Sequence, residues 1–469
     1  MARLRGVLLA GLGLASAAGW VYLARYFPAT SSRRDVLTFL AVIAVLFLLS
    51  AAALLVARRM PPRAALLQIL VFAALFRAVL LFAGLPPGES VKDDLTGQRV
   101  AWSRFLLYDD DLWRYLWDGY VVSEGIDPYA RSPQEIRDRY DDGTATPAEE
   151  ALLERPRAFD VLDNVRFASY RTVYPPLAQH LFRFTNRLAP GSVFVWKLLV
   201  ALFDVGTCLL LARMLVRLGR GPEACVLYAW SPLAIKELAG SGHVDAMMIF
   251  FLVLAVERAL AGWQRVSLGA YAASVLAKLG TLPLAPLFLR RARPGTWWAP
   301  VIVGLMIVIP FWRGLPGLAS SLTAFGKDWT FNPGPWLLAA RFFEWIGAGD
   351  PEAAAHLLTK ILALLLVGIV TVRVRPSDDR SWILGIFLVL AGVVLLNAVV
   401  TPWYLLWALP FAVASGIRSW EVLTALSFLS YLVYSEHAEH AWWLWVEYGG
   451  FAVAAGVEWT LRVKTVQSP

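Results

Sequence analysis

The sequence predicts an all-α polytopic membrane protein, and three observations support that fold class: the composition, the long continuous apolar runs and the placement of charges. Of 469 residues, 58% are hydrophobic and only 17% are charged, whereas an ordinary soluble domain carries about 25% charged residues. The surface of a soluble globule of this size needs more polar residues than the chain contains. The composition therefore excludes a soluble enzyme and a disordered chain. Two cysteines, Cys208 and Cys225, give no disulfide framework.

The apolar runs predict about 12 to 14 transmembrane or half-spanning helices, because a bilayer crossing needs about 20 apolar residues. Three runs precede a long polar stretch at 86–172, which we expect to be a large first extracytoplasmic loop. The later runs lie near 192–216, 223–235, 244–262, 266–277, 280–290, 297–313, 353–372, 381–399, 402–417, 420–434 and 443–461. Several are too short for a full crossing, which is typical of half-helices.

Three parts of the chain are expected from this pattern. Residues 1–63 hold the first two transmembrane helices, 64–313 form a module that includes the outer loop, and 314–469 hold further transmembrane helices and outer loops. Within the module, 266–290 is too short for two crossings and has basic residues at both ends. This stretch predicts a hairpin that enters the membrane and returns on the same side.

Arginine and lysine placement predicts a multi-pass protein of the cell (inner) membrane with both termini cytoplasmic. The start resembles a secretory signal, but we expect an uncleaved anchor because many apolar segments follow. The inside connections would then carry Arg58, Arg59, Arg63, Arg217, Arg220, Arg290, Arg291, Arg293, Arg373, Arg375, Arg380, Arg462 and Lys464. Arg33 and Arg34 are the exceptions. The net charge of +8 is thus explained by cytoplasmic loops rather than by nucleic-acid binding.

The outer loop concentrates acid, since 86–170 holds 18 of the 35 acidic and 10 of the 43 basic residues. The triplet Asp109–Asp111 predicts the start of a helix, and Gly125 with Pro128 predicts its end. One interpretation is an amphipathic helix that lies on the membrane through Trp113, Trp117 and Tyr120. However, three adjacent carboxylates exceed what a helix cap needs. They favour a general base, a metal ligand or a cation site, with Asp109 serving only as a cap.

The residues around this triplet resemble a known family. Asp-Asp-Leu-Trp-Arg-Tyr-Leu-Trp-Asp-Gly at 110–119, followed by Gly-Ile-Asp-Pro-Tyr at 125–129, is similar to the first external loop of GT-C superfamily glycosyltransferases. The resemblance is to the bacterial polyprenyl-phosphate-mannose-dependent mannosyltransferases. Weaker matches follow in the same order at 173–179, 242–246, Lys278 and 401–405. The chain departs from the family in two ways. Asp127 stands where the family often has Asn, and two extra apolar segments precede the helix that leads into the catalytic loop.

The resemblance implies a membrane-embedded inverting glycosyltransferase that moves a sugar, with mannose favoured, to an acceptor hydroxyl at the extracytoplasmic face. The implied partners are a polyprenyl-phosphate-linked sugar donor, a lipid or glycan acceptor and membrane lipids, with no nucleic acid. Such a displacement needs a carboxylate base and cations that stabilise the leaving phosphate. By family position the base is Asp110, with Asp111 as the close alternative. No cofactor is certain, and a divalent metal held by both carboxylates stays open.

The resemblance and the local charges also suggest substrate contacts. Arg114 holds a carboxylate or approaches the phosphate, and Asp118 positions the sugar or the helix. Lys278 near the hairpin tip is the candidate for the donor phosphate, with snorkelling to the interface as the alternative. Near the outer ends of flanking apolar segments lie Lys236, Glu237, His243 and Asp245, which together with Lys278 predict a polar cavity.

Aromatic residues offer a second group of candidate contacts. Tyr174, before two prolines, is either a plain helix start or a rigid wall of the site. Trp403 and Tyr404 are either an aromatic belt or a platform for a sugar ring, and the segment 325–332 is a weaker candidate of that kind. The group Glu436, His437, Glu439 and His440 looks metal-like, but a solvated loop is the simpler interpretation.

Two other functions fit part of this pattern. A membrane transporter also has intramembrane charges and broken helices, but the chain shows no repeated halves. A polysaccharide-export component without transferase chemistry would leave the Asp cluster as surface charge. Among the intramembrane charges, Arg77 and Asp204 lie at similar depths, and we expect them to form a buried ion pair that fixes helix packing.

Overall fold

The computed structural model describes residues 2–26, 36–82, 90–92, 99–101, 110–434 and 441–467. Several predictions concern positions outside these ranges. They are the ones for Arg33 and Arg34, for Asp109, and for Glu436, His437, Glu439 and His440.

Helices dominate the described residues, which confirms the predicted all-α polytopic class. A short antiparallel pair, β1 (Ser90–Lys92) and β2 (Arg99–Ala101), lies in the outer segment. The helices before and within that segment are α1 (Ala2–Tyr26), α2 (Val36–Ala57), α3 (Pro62–Leu81), α4 (Leu112–Ser123), α5 (Pro133–Asp141), α6 (Pro147–Leu153), α7 (Pro156–Asp163) and α8 (Pro176–Leu188).

The central part of the chain alternates long helices with short ones. Its α-helices are α9 (Val193–Arg217), α10 (Val226–Ala229), α11 (Pro232–Ala234), α12 (Asp245–Leu260), α13 (Gln264–Ala277), α14 (Ala285–Arg291), α15 (Trp298–Val308) and α16 (Leu315–Asp328). A π-helix at Ile235–Gly240 and 3-10 helices at Pro222–Cys225, Leu279–Leu284, Pro294–Thr296 and Ile309–Gly314 connect them.

The C-terminal part continues this pattern. Its α-helices are α17 (Pro335–Trp345), α18 (Pro351–Arg373), α19 (Asp379–Leu395), α20 (Leu409–Ser415), α21 (Ser419–Leu426) and α22 (Trp443–Gln467). Two 3-10 helices, Pro402–Trp407 and Ser427–Tyr434, complete it.

Six helical segments of the described chain are long and apolar enough to cross a membrane. They are Arg3–Arg25, Val36–Ala57, Pro62–Leu81, Val193–Arg217, Pro294–Asp328 and Pro351–Arg373. Shorter helices pack between them, as the short apolar runs of the sequence predict. Broken helices of this kind are tolerated at membrane depth where neighbouring protein covers their backbone.

A buried ion pair joins α3 to α9. Arg77 Nε lies 2.7 Å from Asp204 Oδ2, and both side chains are shielded from solvent. The guanidinium also donates to the carbonyl oxygens of Ala73 and Ala229, and the Tyr228 hydroxyl donates to Asp204 Oδ1. Arg77 Nη2 lies 3.7 Å from Cys208 Sγ, so each nitrogen of the guanidinium has a partner, as a charge pair in an apolar interior requires. The predicted pairing of Arg77 with Asp204 is confirmed.

The stretch 264–291 forms two arms joined at Lys278. Helix α13 stops where Lys278 adopts an extended conformation, at φ −160° and ψ 131°. The chain then continues through a 3-10 turn into α14. The rings of Tyr271 and Phe288 stack with centroids 4.2 Å apart, so the two arms pack side by side. This is the predicted hairpin, with Lys278 at the junction of its arms.

Several predicted cytoplasmic arginines meet at one end of the molecule. Arg220 and Arg462 converge on the short connection after α20, where they donate to the carbonyl oxygens of Ala414 and Gly416. Burial lowers the pKa of Arg220, and the like charges of Arg418, Arg380, Arg462 and Arg58 lower it further. Four separate connections of the chain therefore place basic groups together.

Candidate active site

Helix α4 begins at the acidic cluster, and the described carboxylates, Asp110 and Asp111, are partly exposed. Asp111 stands at its N-cap position in a helical conformation, and its side chain makes no capping hydrogen bond. Its carboxylate side chain is 35% exposed. Trp113, Trp117 and Tyr120 are buried by protein, so the interpretation of α4 as a helix lying on the membrane surface through these rings is wrong.

A polar network fixes the next turn of α4 against α8. Arg114 Nε donates to Asp118 Oδ1 at 2.9 Å, as the spacing of four residues predicts. The second oxygen of Asp118 accepts hydrogen bonds from the Thr172 hydroxyl at 2.5 Å and from Gln179 Nε2 at 3.0 Å. Asp118 is buried and thus has donors on both oxygens. The contacts that it makes in the protein fit a role in positioning α4.

The backbone allows a close approach between the same two helices. A Cβ atom on Gly119 would lie 2.7 Å from the carbonyl oxygen of Phe182. The glycine is required there because α4 and α8 are in backbone contact. Tyr115 stacks on Phe182 with centroids 5.2 Å apart and meets Tyr174 edge-on at 5.0 Å. Pro175 and Pro176 begin α8, so Tyr174 lies both at a helix start and against the site.

A second set of charges lies on the π-helix and the turn after it. Lys236 Nζ is 3.1 Å from Glu237 Oε2, and Glu237 Oε2 is 3.4 Å from His243 Nε2. The Tyr431 hydroxyl donates to Glu237 Oε1 and accepts from Lys236. All three charged or titratable side chains, Lys236, Glu237 and His243, are fully buried. π-Helical turns are frequent at functional sites.

His243 connects this set to the acidic cluster. Its Nδ1 atom lies 4.0 Å from Asp111 Oδ2, and its ring stacks on Trp403 with centroids 3.9 Å apart. Gly242 makes the turn possible, because it has φ +78° and its Cβ position is closed off by Leu112 and Trp196. Trp403 is therefore a wall of the cluster rather than part of an aromatic belt.

Lys278 and Asp245 form a third element of the site. Lys278 Nζ donates to both carboxylate oxygens of Asp245, at 2.9 and 2.7 Å, and Trp407 Nε1 donates to Oδ1 at 2.6 Å. The ammonium lies 4.7 Å from the centre of the Tyr404 ring. Lys278 has no acidic neighbour in sequence, and its partner Asp245 lies 33 residues away along the chain.

The three elements share one electrostatic environment. Burial raises the pKa of Tyr115 well above 10, and the charges of Asp111 and Asp245 raise it further. Burial and Asp111 likewise raise the pKa of Tyr174, with a smaller contribution from Asp245. Both hydroxyls therefore stay protonated and serve as hydrogen-bond donors beside the carboxylates.

Asp110 has a different neighbourhood. Its Oδ1 atom lies 3.6 Å from Arg166 Nη1, and its side chain is 43% exposed. Asp110 and Asp111 thus face different cationic or titratable partners, Arg166 and His243. In the described part of the chain, no group of three or more His, Cys, Asp or Glu side chains is arranged to hold a metal ion.

Sequence reasoning missed several residues of this cluster. The missed residues contact the predicted ones, and all except Gln179 lie outside any recognised motif: Arg166, Thr172, Gln179, Trp407 and Tyr431. Gln179 closes the Tyr-Pro-Pro-Leu-Ala-Gln run, and that run was the one available signal. The others come from segments far apart in sequence, so only the tertiary structure brings them to the site.

Part of the chain is similar in sequence to known mannosyltransferases. Residues 105–292 match the family model described as alpha-(1->6)-mannopyranosyltransferase, N-terminal domain. Alpha-(1->6)-mannopyranosyltransferase A of Mycobacterium tuberculosis is 24% identical over 363 residues, which is 70% of this chain and 66% of that protein. Alpha-(1->6)-mannopyranosyltransferase B of Corynebacterium glutamicum is 24% identical over 344 residues, 65% of this chain and 55% of that protein.

The chain therefore spans less than two thirds of the length of both curated relatives. No solved structure matches it. The family match begins just before the Asp cluster and ends just after α14, and so includes Asp111, His243, Asp245 and Lys278. The resemblance to GT-C mannosyltransferases that the motifs indicate is confirmed.

Proposed function

We propose that this chain, whose residues 105–292 match the alpha-(1->6)-mannopyranosyltransferase domain, is a membrane mannosyltransferase. It moves mannose from a polyprenyl-phosphate carrier to a hydroxyl of a glycan or lipid acceptor. One observation carries the proposal: Asp111, partly open to solvent, lies 4.0 Å from the buried His243, and its charge acts on Tyr115 together with that of Asp245, the partner of Lys278. Such a site combines a carboxylate that can reach a substrate with protein cations nearby.

In the proposed reaction, Asp111 is the general base. The acceptor oxygen attacks the anomeric carbon while the bond from that carbon to the phosphate oxygen breaks. The electron pair of the broken bond leaves with the phosphate, and the hydroxyl proton moves to Asp111. A single displacement inverts the anomeric centre, so an α-linked product requires a β-linked donor.

The contacts favour Asp111 over Asp110 as the base. Asp111 faces His243 and influences the hydroxyls of Tyr115 and Tyr174. Asp110 instead points to Arg166, 3.6 Å away, so that its carboxylate is engaged by a protein cation. We therefore assign Asp110 a positioning role, although family position favours it as the base.

The leaving phosphate needs a positive partner. Lys278 supplies it in this proposal: Asp245 holds the ammonium by two hydrogen bonds, and an ammonium has three donors. Tyr404 forms a wall beside the ammonium, and Trp403 forms a wall beside His243. Lys236 acts through Glu237 and orients His243. Arg114 and Asp118 hold α4 in place.

We further propose that the site faces the extracytoplasmic side and that both termini are cytoplasmic. The arginines of four predicted cytoplasmic connections meet around Arg220, which supports a common cytoplasmic end. The donor would then be lipid-linked, because an outward-facing site has no nucleotide sugar available. The division at 63 and 313 stays a proposal. Trp403 and Trp407 contact His243 and Asp245, so the catalytic module also uses the C-terminal part.

Donor choice tests this function directly. The purified protein in lipid nanodiscs is incubated with an alkyl α-mannoside acceptor and either radiolabelled polyprenyl-phosphate-mannose or GDP-mannose. We expect a mannosylated glycoside only from the polyprenyl-phosphate donor, with an α linkage in the product. Transfer from GDP-mannose alone would contradict the proposed donor, and no transfer from either donor would contradict the proposed function.

A further inference from the structure

An aromatic cluster lies beside the candidate active site and has no part in the proposed chemistry. We call it the outer aromatic cluster; it consists of Phe167, Tyr170, Phe325 and Trp329. The other three rings surround Trp329, with centroid distances of 5.4 Å to Phe167, 4.4 Å to Tyr170 and 5.4 Å to Phe325. Aromatic pairs at such distances hold one another in fixed orientations.

The backbone at Phe167 is strained. Its φ is +56°, a conformation that bulky side chains rarely adopt, and its side chain is 49% exposed. Strained backbone conformations of this kind cluster at active sites and ligand-binding sites. The Phe167 ring is half exposed and contributes little to the core. Its strained position therefore points to a ligand.

Two connections tie the cluster to the candidate active site. Arg166, the neighbour of Phe167, lies 3.6 Å from Asp110. The carbonyl oxygen of Tyr170 accepts a hydrogen bond from Arg114 Nη1 at 2.8 Å. These two polar contacts, one to the backbone of Tyr170 and one from the side chain of Arg166, hold the cluster next to α4.

A third connection comes from the other side of the cluster. Two residues after Trp329, Phe331 exchanges backbone hydrogen bonds with Ala398 and Val400, at 3.1 and 2.8 Å. That stretch leads directly to Trp403, which stacks on His243. Both sides of the candidate active site thus contribute to holding the outer aromatic cluster.

We propose that the outer aromatic cluster is an acceptor subsite that binds a pyranose ring of the glycan one or more units away from the reacting hydroxyl. The apolar C–H face of a pyranose packs on an aromatic ring, and the exposed, charged neighbours Lys327 and Asp328 suit its hydroxyl groups. A lipid chain would instead favour an apolar rim. The inference rests on the proposed function, because it names the acceptor of that same site.

Acceptor length provides the test. We measure initial rates with octyl α-mannoside, its α-1,6-linked disaccharide and its trisaccharide, for the wild type, Trp329→Ala, Trp329→Phe and Phe167→Ala. For the trisaccharide, Trp329→Ala is expected to raise the KM roughly fivefold. The kcat, the donor KM and the monosaccharide KM should change less than about twofold. Trp329→Phe should keep most of the trisaccharide affinity.

Trp345→Ala is the matched control, because Trp345 is an exposed tryptophan of α17 outside the cluster. Phe167→Ala tests the proposal independently if Trp329→Ala fails to fold. An unchanged trisaccharide KM in both variants would overturn the subsite, as would an equal rise in the KM of the lipid-linked donor.

A binding measurement separates this inference from the proposed function. Saturation-transfer NMR with the trisaccharide reports contact whether or not the protein transfers mannose. A signal that Trp329→Ala abolishes supports the subsite even if no donor is used. A signal that Trp329→Ala leaves intact overturns the subsite even if transfer is normal.

Discussion

Asp245 is the residue on which the interior of the site depends, because it accepts hydrogen bonds from both Lys278 and Trp407. Its side chain is fully buried, whereas the side chain of Lys278 is 16% exposed. A charge left without its partner in such a place is costly, whereas replacing both charges together is much less so. The pair therefore predicts a difference between single and double variants.

We expect Lys278→Met to destabilise the protein by about 3 kcal/mol, since it leaves the buried Asp245 carboxylate without its cation. Adding Asp245→Asn should restore most of the unfolding temperature but not the transfer activity, because the proposed phosphate contact is still missing. Thermal unfolding in detergent and the transfer assay check the two outcomes. Lys360→Met, which removes an exposed lysine of α18, is the control and should leave both properties unchanged. A double variant as unstable as the single one would contradict this account.

Sequence reasoning could identify the charged residues of the site but not their partners. Lys278 and His243 stood out because charges in apolar segments are rare. Their contacts with Asp245 and Asp111 depend on helix packing across gaps of 33 and 132 residues, which no local pattern encodes. For the same reason the sequence could not decide whether Asp110 or Asp111 is the general base. Their partners, Arg166 and His243, both come from elsewhere in the chain.

At the scale of elements, α4 could be predicted closely. The Asp triplet and Gly125 indicated its ends, and the helix runs from Leu112 to Ser123. Its environment could not be predicted, because buried aromatic residues and aromatic residues at a membrane interface give the same sequence pattern. The packing of α4 on α8 decides between them.

That packing predicts a strong effect at Gly119. Gly119→Ala places a Cβ 2.7 Å from the backbone carbonyl oxygen of Phe182, and a backbone atom cannot rotate away. We expect the variant to lose about 1–3 kcal/mol and to lower transfer activity by displacing Asp111. Gly304→Ala in α15 is the matched control, because its Cβ would meet no atom within 4 Å. Equal unfolding temperatures for the two variants would contradict the close contact of α4 and α8.

The outer helices α5 and α6 depend on a capped carboxylate. Glu149 closes a capping box with Thr146 and pairs with Arg131. Burial alone would raise the pKa of Glu149, but hydrogen bonds from Thr146 and the charge of Arg131 outweigh it, and the pKa is lowered below 4.5.

A lowered pKa in the folded state gives a definite pH dependence. The stabilisation by Glu149 is full above the unfolded pKa of about 4.3 and is lost as the pH falls through the folded pKa. Glu149→Gln should therefore reduce the protection of 133–163 against hydrogen exchange at pH 7, and the difference from the wild type should shrink below pH 4. Glu150→Gln, which lacks these contacts among the described residues, is the control. An equal difference at pH 7 and at acid pH would contradict this origin of the stability.

At the scale of the whole molecule, the fold places the acidic cluster and the arginines around Arg220 in different regions. The sequence could predict the polytopic class because apolar length and composition suffice for it. It could not decide which short segments cross the membrane. Helices such as α12 and α13 pack against neighbouring helices, and burial against protein gives the same apolar pattern as contact with lipid. The arrangement of the two charged regions is open to a direct test.

Both native cysteines are buried, so single introduced cysteines can report sidedness. We expect Asp142→Cys in the outer segment to react with a membrane-impermeant maleimide in intact cells. Ser377→Cys, in the connection between α18 and α19, should react only after the membrane is permeabilised. Both positions are exposed in the protein, and the wild type is the unlabelled control. Labelling of position 377 from outside would contradict the proposed orientation.

The most direct test of the proposed mechanism is single-turnover transfer by Asp111→Asn with the donor already bound. Asp141→Asn, which changes an exposed carboxylate of the same outer segment, is the control. We expect Asp111→Asn to bind the polyprenyl-phosphate-mannose donor normally but to transfer at least about 100-fold more slowly, with Asp141→Asn unchanged. Transfer by Asp111→Asn at the wild-type rate would contradict Asp111 as the base.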